Sequence, residues 1–248
     1  YEIYQCDWSS DVCSSDLQRI WAQVWRIRSG SAAAGRSGVM AITGAPSSAT
    51  SATGTEVRGL MRSRAVASLG TQLAGSGWPY VSLVLVATAM DGAPLLLLSR
   101  LAEHTKNIAG DARVSLLFDA TEDAPSRLAG ARATVLGRAM RSDDKDELAR
   151  FLQRHPEAEA YAGFADFGLF RVHVDRAHLV AGFGRIHWVD EREIVLPNVA
   201  GFTAVADAEL QRLASDAALR PKLGAWSITG IDPEGLDLRA GQRTARVG

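Results

Sequence analysis

Between Tyr80 and Leu98 the chain spells out a β-hairpin, and that feature most constrains what it can fold into. The run Tyr80–Thr88 is rich in valine and leucine, Asp91-Gly92 is a tight-turn pair, and Leu95–Leu98 is an unbroken run of leucine. Apolar runs of this length on either side of Asp-Gly read as two paired strands. The pattern extends in both directions. Ala67–Leu73 precedes the hairpin, separated from it by the turn Gly75-Ser76-Gly77 and by Pro79, and Val114–Phe118 and Ala131–Met140 follow it. In the last of these, Ala131, Ala133 and Val135 alternate with Arg132, Thr134, Leu136 and Arg138, which makes one dry face and one wet face. Leu169–Val174 and His178–Phe183 add strands, and Gly182-Phe183-Gly184 marks a bend. Such a succession predicts a mainly β (α+β) fold built as an antiparallel barrel or sandwich, not as alternating βαβ units.

Helices are fewer. One starts at Glu56 with Val57, Leu60 and Met61 on its apolar side, and a short one opens near His104–Thr105 and ends at Gly110. Asp144–Arg154 sets Leu148, Phe151 and Leu152 at helical spacing, with Asp144 three residues before Glu147 as a capping arrangement and Pro156 closing it. After Asp190 the character changes. Asp207–Leu219 reads as a helix, and Trp226–Ile231 and Leu236–Arg239 read as strands joined by the turn Asp232-Pro233-Glu234-Gly235. These segments divide the chain into a leader (1–39), a flexible lead-in (40–55), a β domain (56–190) and a small α+β domain (191–248). The leader holds both cysteines, Cys6 and Cys13, and shows neither helical nor strand period. With Tyr1 at its head and Met40 as a second start, it reads as upstream translation foreign to the domain; the other reading is a genuine extension with a Cys6/Cys13 pair.

Charge and composition exclude several function classes. Lysine plus arginine number 27 against 28 acids, a net charge of −1, which argues against binding nucleic acid through bulk electrostatics. No apolar run approaches the ~20 residues of a membrane-spanning helix, and no secretory signal is visible, so the expected compartment is the cytoplasm. Signatures of phosphate-loop, zinc-protease, dithiol and serine-hydrolase chemistry are missing, so no catalytic residue is assigned. Gly182-Phe183-Gly184-Arg185 begins like a dinucleotide fingerprint but lacks a third glycine and a following helix. The five histidines show no paired ligand spacing, and no metal site is expected. His173 and His178 lie an odd number of residues apart on presumed strands, which predicts opposite faces.

One segment concentrates chemistry. A buried strand ends at Ser99, and Arg100, His104, Thr105, Lys106 and Asn107 lead into the short helix. A helix N-terminus presents free N–H groups and partial positive charge, so it attracts anions. Ser99 and Thr105 can donate hydrogen bonds, and Arg100, His104 and Lys106 can add charge-assisted ones to a phosphate. The same residues suit, equally, an ordinary capped helix with solvated charges.

The stretch from Arg64 to Trp188 resembles the pyridoxamine-5′-phosphate-oxidase-like, FMN-binding split-barrel superfamily, and within it the haem-iron-utilisation branch. The resemblance is carried by Ala67-Ser68-Leu69-Gly70-Thr71, Trp78-Pro79-Tyr80-Val81-Ser82-Leu83, Leu98–Asn107, Asp111–Leu117 and Leu179–Arg185. The tail Thr229–Leu238 is similar to the small domain appended in that branch. The resemblance implies an antiparallel split β-barrel of the FMN-binding type with a small C-terminal α+β domain. It also implies a homodimer with FMN in the groove between subunits. Carried over residue by residue, the FMN contacts fall on Ser82, Ser99, His104, Thr105 and Lys106, with Arg100 and Asn107 beside them. Oxidation of pyridoxamine phosphate is not implied, because Ser82 and His104-Thr105-Lys106 stand where those oxidases carry arginine and a Ser-Arg-Lys run. The implied function is a flavin-dependent oxidoreductase with a small-molecule redox partner. Two alternatives stand beside it: a haem-binding or haem-degrading protein without FMN, and a non-enzymatic module that regulates a partner. No histidine follows His187, so a tail ligand to haem is excluded, leaving His173, His178 or His187 for that role.

Overall fold

The computed structural model describes residues 51–248 apart from Pro125, Phe183, Ala218 and Gln242, so the leader (1–39) and nearly all of the lead-in lie outside the described residues. Among the described residues the chain divides into two compact units, one ending at Pro197 and one from Asn198 to Gly248. No helix among them is long and apolar enough to cross a membrane.

The first unit opens with helix α1 (Ala52–Ser63), four residues earlier than Glu56, because the Ser51 hydroxyl accepts the Gly54 amide at 3.0 Å and caps it. Strands β1 (Val66–Gln72), β2 (Pro79–Leu85), β3 (Ala87–Thr88) and β4 (Pro94–Ser99) follow. Next come helix α2 (Glu103–Gly110), strands β5 (Arg113–Asp119) and β6 (Arg132–Ser142), and helices α3 (Lys145–Arg154) and α4 (Glu159–Ala162). Strands β7 (Phe167–Val180) and β8 (Ile186–Asp190) and helix α5 (Glu191–Ile194) complete the unit.

The sheet is antiparallel in the order β2-β1-β5-β6-β7-β4-β3, with β8 on β7. Its two ends are β2 and β3, which are parted only by Val86 and form nearly one strand. The sheet therefore closes on itself as a barrel. Closure is incomplete by design of the register: β2 pairs with β1 along its length, whereas β3 reaches β4 only at Ala87↔Leu95 and Thr88↔Pro94. No ladder joins β2 to β4 among the described residues, and that seam is the split. The expected split β-barrel is thus the observed one.

Packing explains the leucine run. Leu96 and Leu98 face the barrel core with Leu69, Leu116, Val135 and Val172, whereas Leu95 and Leu97 face a second cluster around Phe151 of α3. A strand covered on both faces reads as continuously apolar, not alternating. The hairpin turn forms at Asp91-Gly92, where Gly92 has φ +95°, a conformation that favours glycine. Arg171 of β7 pairs with Asp91 in this turn and with Glu147 of α3, tying three elements together. The α3 helix is capped by Asp144, whose carboxylate accepts the amides of Asp146 and Glu147. Arg58 of α1 is buried and gives its guanidinium to the carbonyls of Glu193 (2.6 Å) and Ile194 (3.0 Å), satisfying the end of α5.

One strand-level expectation is overturned. Leu169–Val174 and His178 onward belong to a single strand, β7, whose pairing with β6 shifts register between Leu136 and Gly137. That bulge adds one residue on β7 and resets the parity. His173 and His178 therefore share the outer face, opposite Arg138 and Thr134 of β6, and do not point to opposite sides. Glycine is required at the bulge, since a Cβ on Gly137 would stand 2.3 Å from the His173 carbonyl oxygen.

The second unit has helices α6 (Ala200–Ser215) and α7 (Arg220–Leu223) and a three-stranded sheet in the order β11-β10-β9. Strands β9 (Ser227–Asp232) and β10 (Gly235–Ala240) form the expected hairpin, and β11 (Arg243–Val247) adds a strand not read from the sequence. Ile228, Ile231, Leu236, Leu238 and Ala245 make its apolar layer. Within it, Arg246 bridges Asp232 (2.7 Å) and Asp237 (3.0 Å).

Candidate functional site

The split is where the charged segment lands. Strand β4 ends at Ser99, the chain turns through Arg100 and Leu101, and α2 starts against β1 and β2. Its N-cap residue, Ala102, makes no side-chain capping bond. The capped-helix reading of this segment is therefore not realised, and the first turn keeps its donor character.

Two of the sequence-selected residues are committed elsewhere. The Ser99 hydroxyl donates to Asp166 at 2.6 Å and accepts the Leu101 amide, while the Arg100 amide donates to the Asp166 carbonyl at 2.7 Å. Ser99 thus fixes the strand end beside a carboxylate, which would repel a dianion. Asn107 is buried; its amide donates to the Thr71 hydroxyl at 3.0 Å and its carbonyl accepts the Ala74 amide at 3.2 Å. It anchors α2 to the end of β1.

Of the others, Ser82 and His104 meet. Ser82 Oγ of β2 lies 3.0 Å from Nδ1 of His104, across the seam between β2 and α2. His104 is half-buried, and burial pushes its pKa below the ordinary 6.5, so the imidazole is neutral at pH 7. Thr105 is 9% exposed, and its hydroxyl is buried without a hydrogen-bond partner among the described residues. Such an orphan costs about 1–3 kcal/mol unless something outside the chain satisfies it. Lys106 is open to solvent, with Nζ 3.4 Å from Glu103, a weak pairing that a stronger anion displaces. Arg100 is exposed in the preceding turn. The corner therefore offers a buried hydroxyl, a neutral imidazole and an exposed ammonium in the first turn of α2, with the exposed Arg100 just before it, a set suited to an anionic group on an otherwise apolar molecule.

Reading the sequence missed Asp166, which decides the role of Ser99 from 67 residues away. It also missed the outer face of the sheet. Val81 (66% exposed) and Leu83 (73%) project there from β2, beside Val66 of β1 and Leu117 of β5. Their apolar character was visible, but a continuous run hides which alternate residues lie outside. The glycine-rich stretch near Phe183 is the β7–β8 turn and runs into a strand, so it lacks the helix a dinucleotide site needs.

The remaining histidines sit in different settings. His178 packs on Trp188 with ring centroids 4.7 Å apart, and Arg176 stacks on the same indole at 4.6 Å. His173 and His187 are exposed. His155 is buried, bonded to the Val86 carbonyl at 2.9 Å, and burial lowers its pKa below 6.5. Because the unfolded chain binds this proton more readily, stability should be full above pH 6.5 and fall as the pH drops below it. The urea midpoint should decrease between pH 7 and pH 5, and His155→Gln should flatten part of that slope; a variant with an unchanged slope would refute the assignment. Among the described residues no group of three or more His, Cys, Asp and Glu is arranged to hold a metal ion.

The family model described as CREG, beta-barrel matches residues 51–195, the whole of the barrel unit apart from its last residues. The chain belongs to the CREG beta-barrel family. Over 109 residues this CREG-family chain is 35% identical to the chloroplastic heme oxygenase HOZ of Arabidopsis thaliana, a match covering 43% of the chain and 33% of HOZ. It thus spans about a third of that curated relative. A solved protein of unknown function from Agrobacterium tumefaciens is 26% identical with a TM-score of 0.64, covering 86% of this chain and 92% of that one. A heme binding protein from Mycobacterium smegmatis is 28% identical with a TM-score of 0.54, covering 80% and 88%.

Proposed function

We propose that this CREG-family chain binds haem, seating the carboxylate edge of the macrocycle at the α2 corner. The observation that carries the reading is the orphaned Thr105 hydroxyl, a buried donor in want of an acceptor, on the turn that also bears Lys106. The residues present fit the group: Thr105, Lys106 and Arg100 suit its carboxylates, and the neutral His104 suits the boundary with its apolar ring. The heme binding protein from Mycobacterium smegmatis and the heme oxygenase from Arabidopsis thaliana support the choice of haem. Bound haem would supply the redox chemistry of its iron, while the chain binds, orients and shields it.

FMN is the second reading, favoured by the same Thr105 hydroxyl at an uncapped helix N-terminus, which suits a phosphate dianion as well as a carboxylate. Equilibrium titration separates the two: hemin followed by its Soret band, FMN by fluorescence quenching. Saturable 1:1 hemin binding with no FMN binding is expected; FMN binding alone would replace the first reading with the second. If neither binds, both fall and the partner-regulating module takes their place. Lys106→Ala should weaken hemin about tenfold, as befits one solvent-screened charge, and an unchanged affinity would remove Lys106 from the site.

We further propose that the chain works as a homodimer through the outer sheet face. Val66, Val81, Leu83 and Leu117 are exposed on that one face, around Ser68 and Gly70 of β1, a concentration of apolar side chains that a second copy would cover. Leu83→Asp should convert a sedimenting dimer to monomer, and a native protein that is already monomeric would refute this.

A further inference from the structure

We infer that His104 would supply the protein ligand to the haem iron, an assignment that rests on the haem reading above and goes beyond it by naming the iron-binding atom. An imidazole that ligates a metal uses one nitrogen and usually gives the N–H of the other to an oxygen, which fixes tautomer and ring orientation. His104 is placed for that arrangement, with a serine hydroxyl oxygen beside one ring nitrogen. Its Nδ1 lies 3.0 Å from Ser82 Oγ, and with Nδ1–H donated to that oxygen the lone pair resides on Nε2. Nε2 has no hydrogen-bond partner among the described residues. The ring is held between two elements, β2 through Ser82 and the first turn of α2 through its own backbone, so the ligand is preorganised and not tethered to a loose loop.

Its neighbours suit the rest of the molecule. Thr105 follows with its buried hydroxyl, which has no partner among the described residues, and Lys106 follows that with an exposed ammonium. The charged groups on α2 near the ring are Glu103 and Lys106, whose mutual contact at 3.4 Å is exposed to solvent.

The other histidines are less suited. His155 is fully enclosed, with Nε2 on the Val86 carbonyl and Nδ1 3.5 Å from Glu157. His178 is stacked on Trp188, and His173 and His187 are exposed to solvent.

Absorption and electron paramagnetic resonance spectra of the ferric haem complex of the full chain test the assignment. His104→Gln should still fold but shift the Soret and charge-transfer bands and weaken hemin at least tenfold. His104→Gly should recover the native spectrum when imidazole is added, and His178→Ala should leave it unchanged. Circular dichroism of each variant checks that the barrel is intact. A native spectrum in His104→Gln with haem still bound would overturn the ligand and leave the haem reading standing. Loss of the native spectrum in His178→Ala instead would overturn it in favour of the outer face. Failure of the native protein to take up hemin would remove both the ligand and the reading beneath it.

Discussion

Arg246→Ala is expected to destabilise the C-terminal unit by about 3–5 kcal/mol, enough to unfold a module of this size. Arg246 is the cation joining Asp232, which is 1% exposed, to Asp237, which is partly buried. Removing the guanidinium leaves two carboxylates facing each other with little access to water, whereas the native fork reaches both at once. Asp232 also accepts the Glu234 amide at 2.8 Å, so the tight turn joining β9 to β10 loses its brace. Arg246→Lys should recover only part of the loss, since a single ammonium cannot reach both acids in the same geometry. Fluorescence of Trp226, against which Arg243 stacks at 5.3 Å, reports on this unit in a urea titration. A midpoint unchanged in Arg246→Ala would mean that the cluster is held by solvent and not by burial.

The second large effect lies beneath the site. Asn107→Ala should cost about 2–4 kcal/mol, because it strands the Ala74 amide and removes a bond to the buried Thr71 hydroxyl. The loss should also reach function. Asn107 fixes α2 on β1, and α2 carries His104, Thr105 and Lys106, so hemin affinity should fall although Asn107 itself touches no ligand. Asn107→Asp keeps an acceptor for Ala74 and should lie between the two. Thermal unfolding of Asn107→Ala at the native midpoint would refute the anchoring role.

Much of the barrel could be read in advance, for identifiable reasons. The hairpin around Asp91-Gly92 and the leucines of β4 are signals of local turn chemistry and of burial on both faces, and neither depends on distant partners. The bulge in β7 could not be read, because a parity reset shows only in the pairing with β6, and Gly137, which permits it, looks like any strand glycine. Strand β11 was hidden by Arg243 and Arg246, whose charges mask an alternating pattern; Arg246 is enclosed only because two aspartates from other strands meet it. At the site the segment was legible but the division of labour was not. Ser99 and Asn107 looked as available as Thr105, and their partners, Asp166 and Thr71, lie far off in the chain. Which donor is left over is a property of the packing.

Hydrogen–deuterium exchange with and without hemin tests the location of the site most directly. Added hemin should slow exchange in the amides of residues 79–85 and 99–107, on either side of the seam between β2 and α2, while β7 and β8 around His178 and Trp188 change little. Protection centred on β7 and β8, or no protection at all under saturating hemin, would contradict the account.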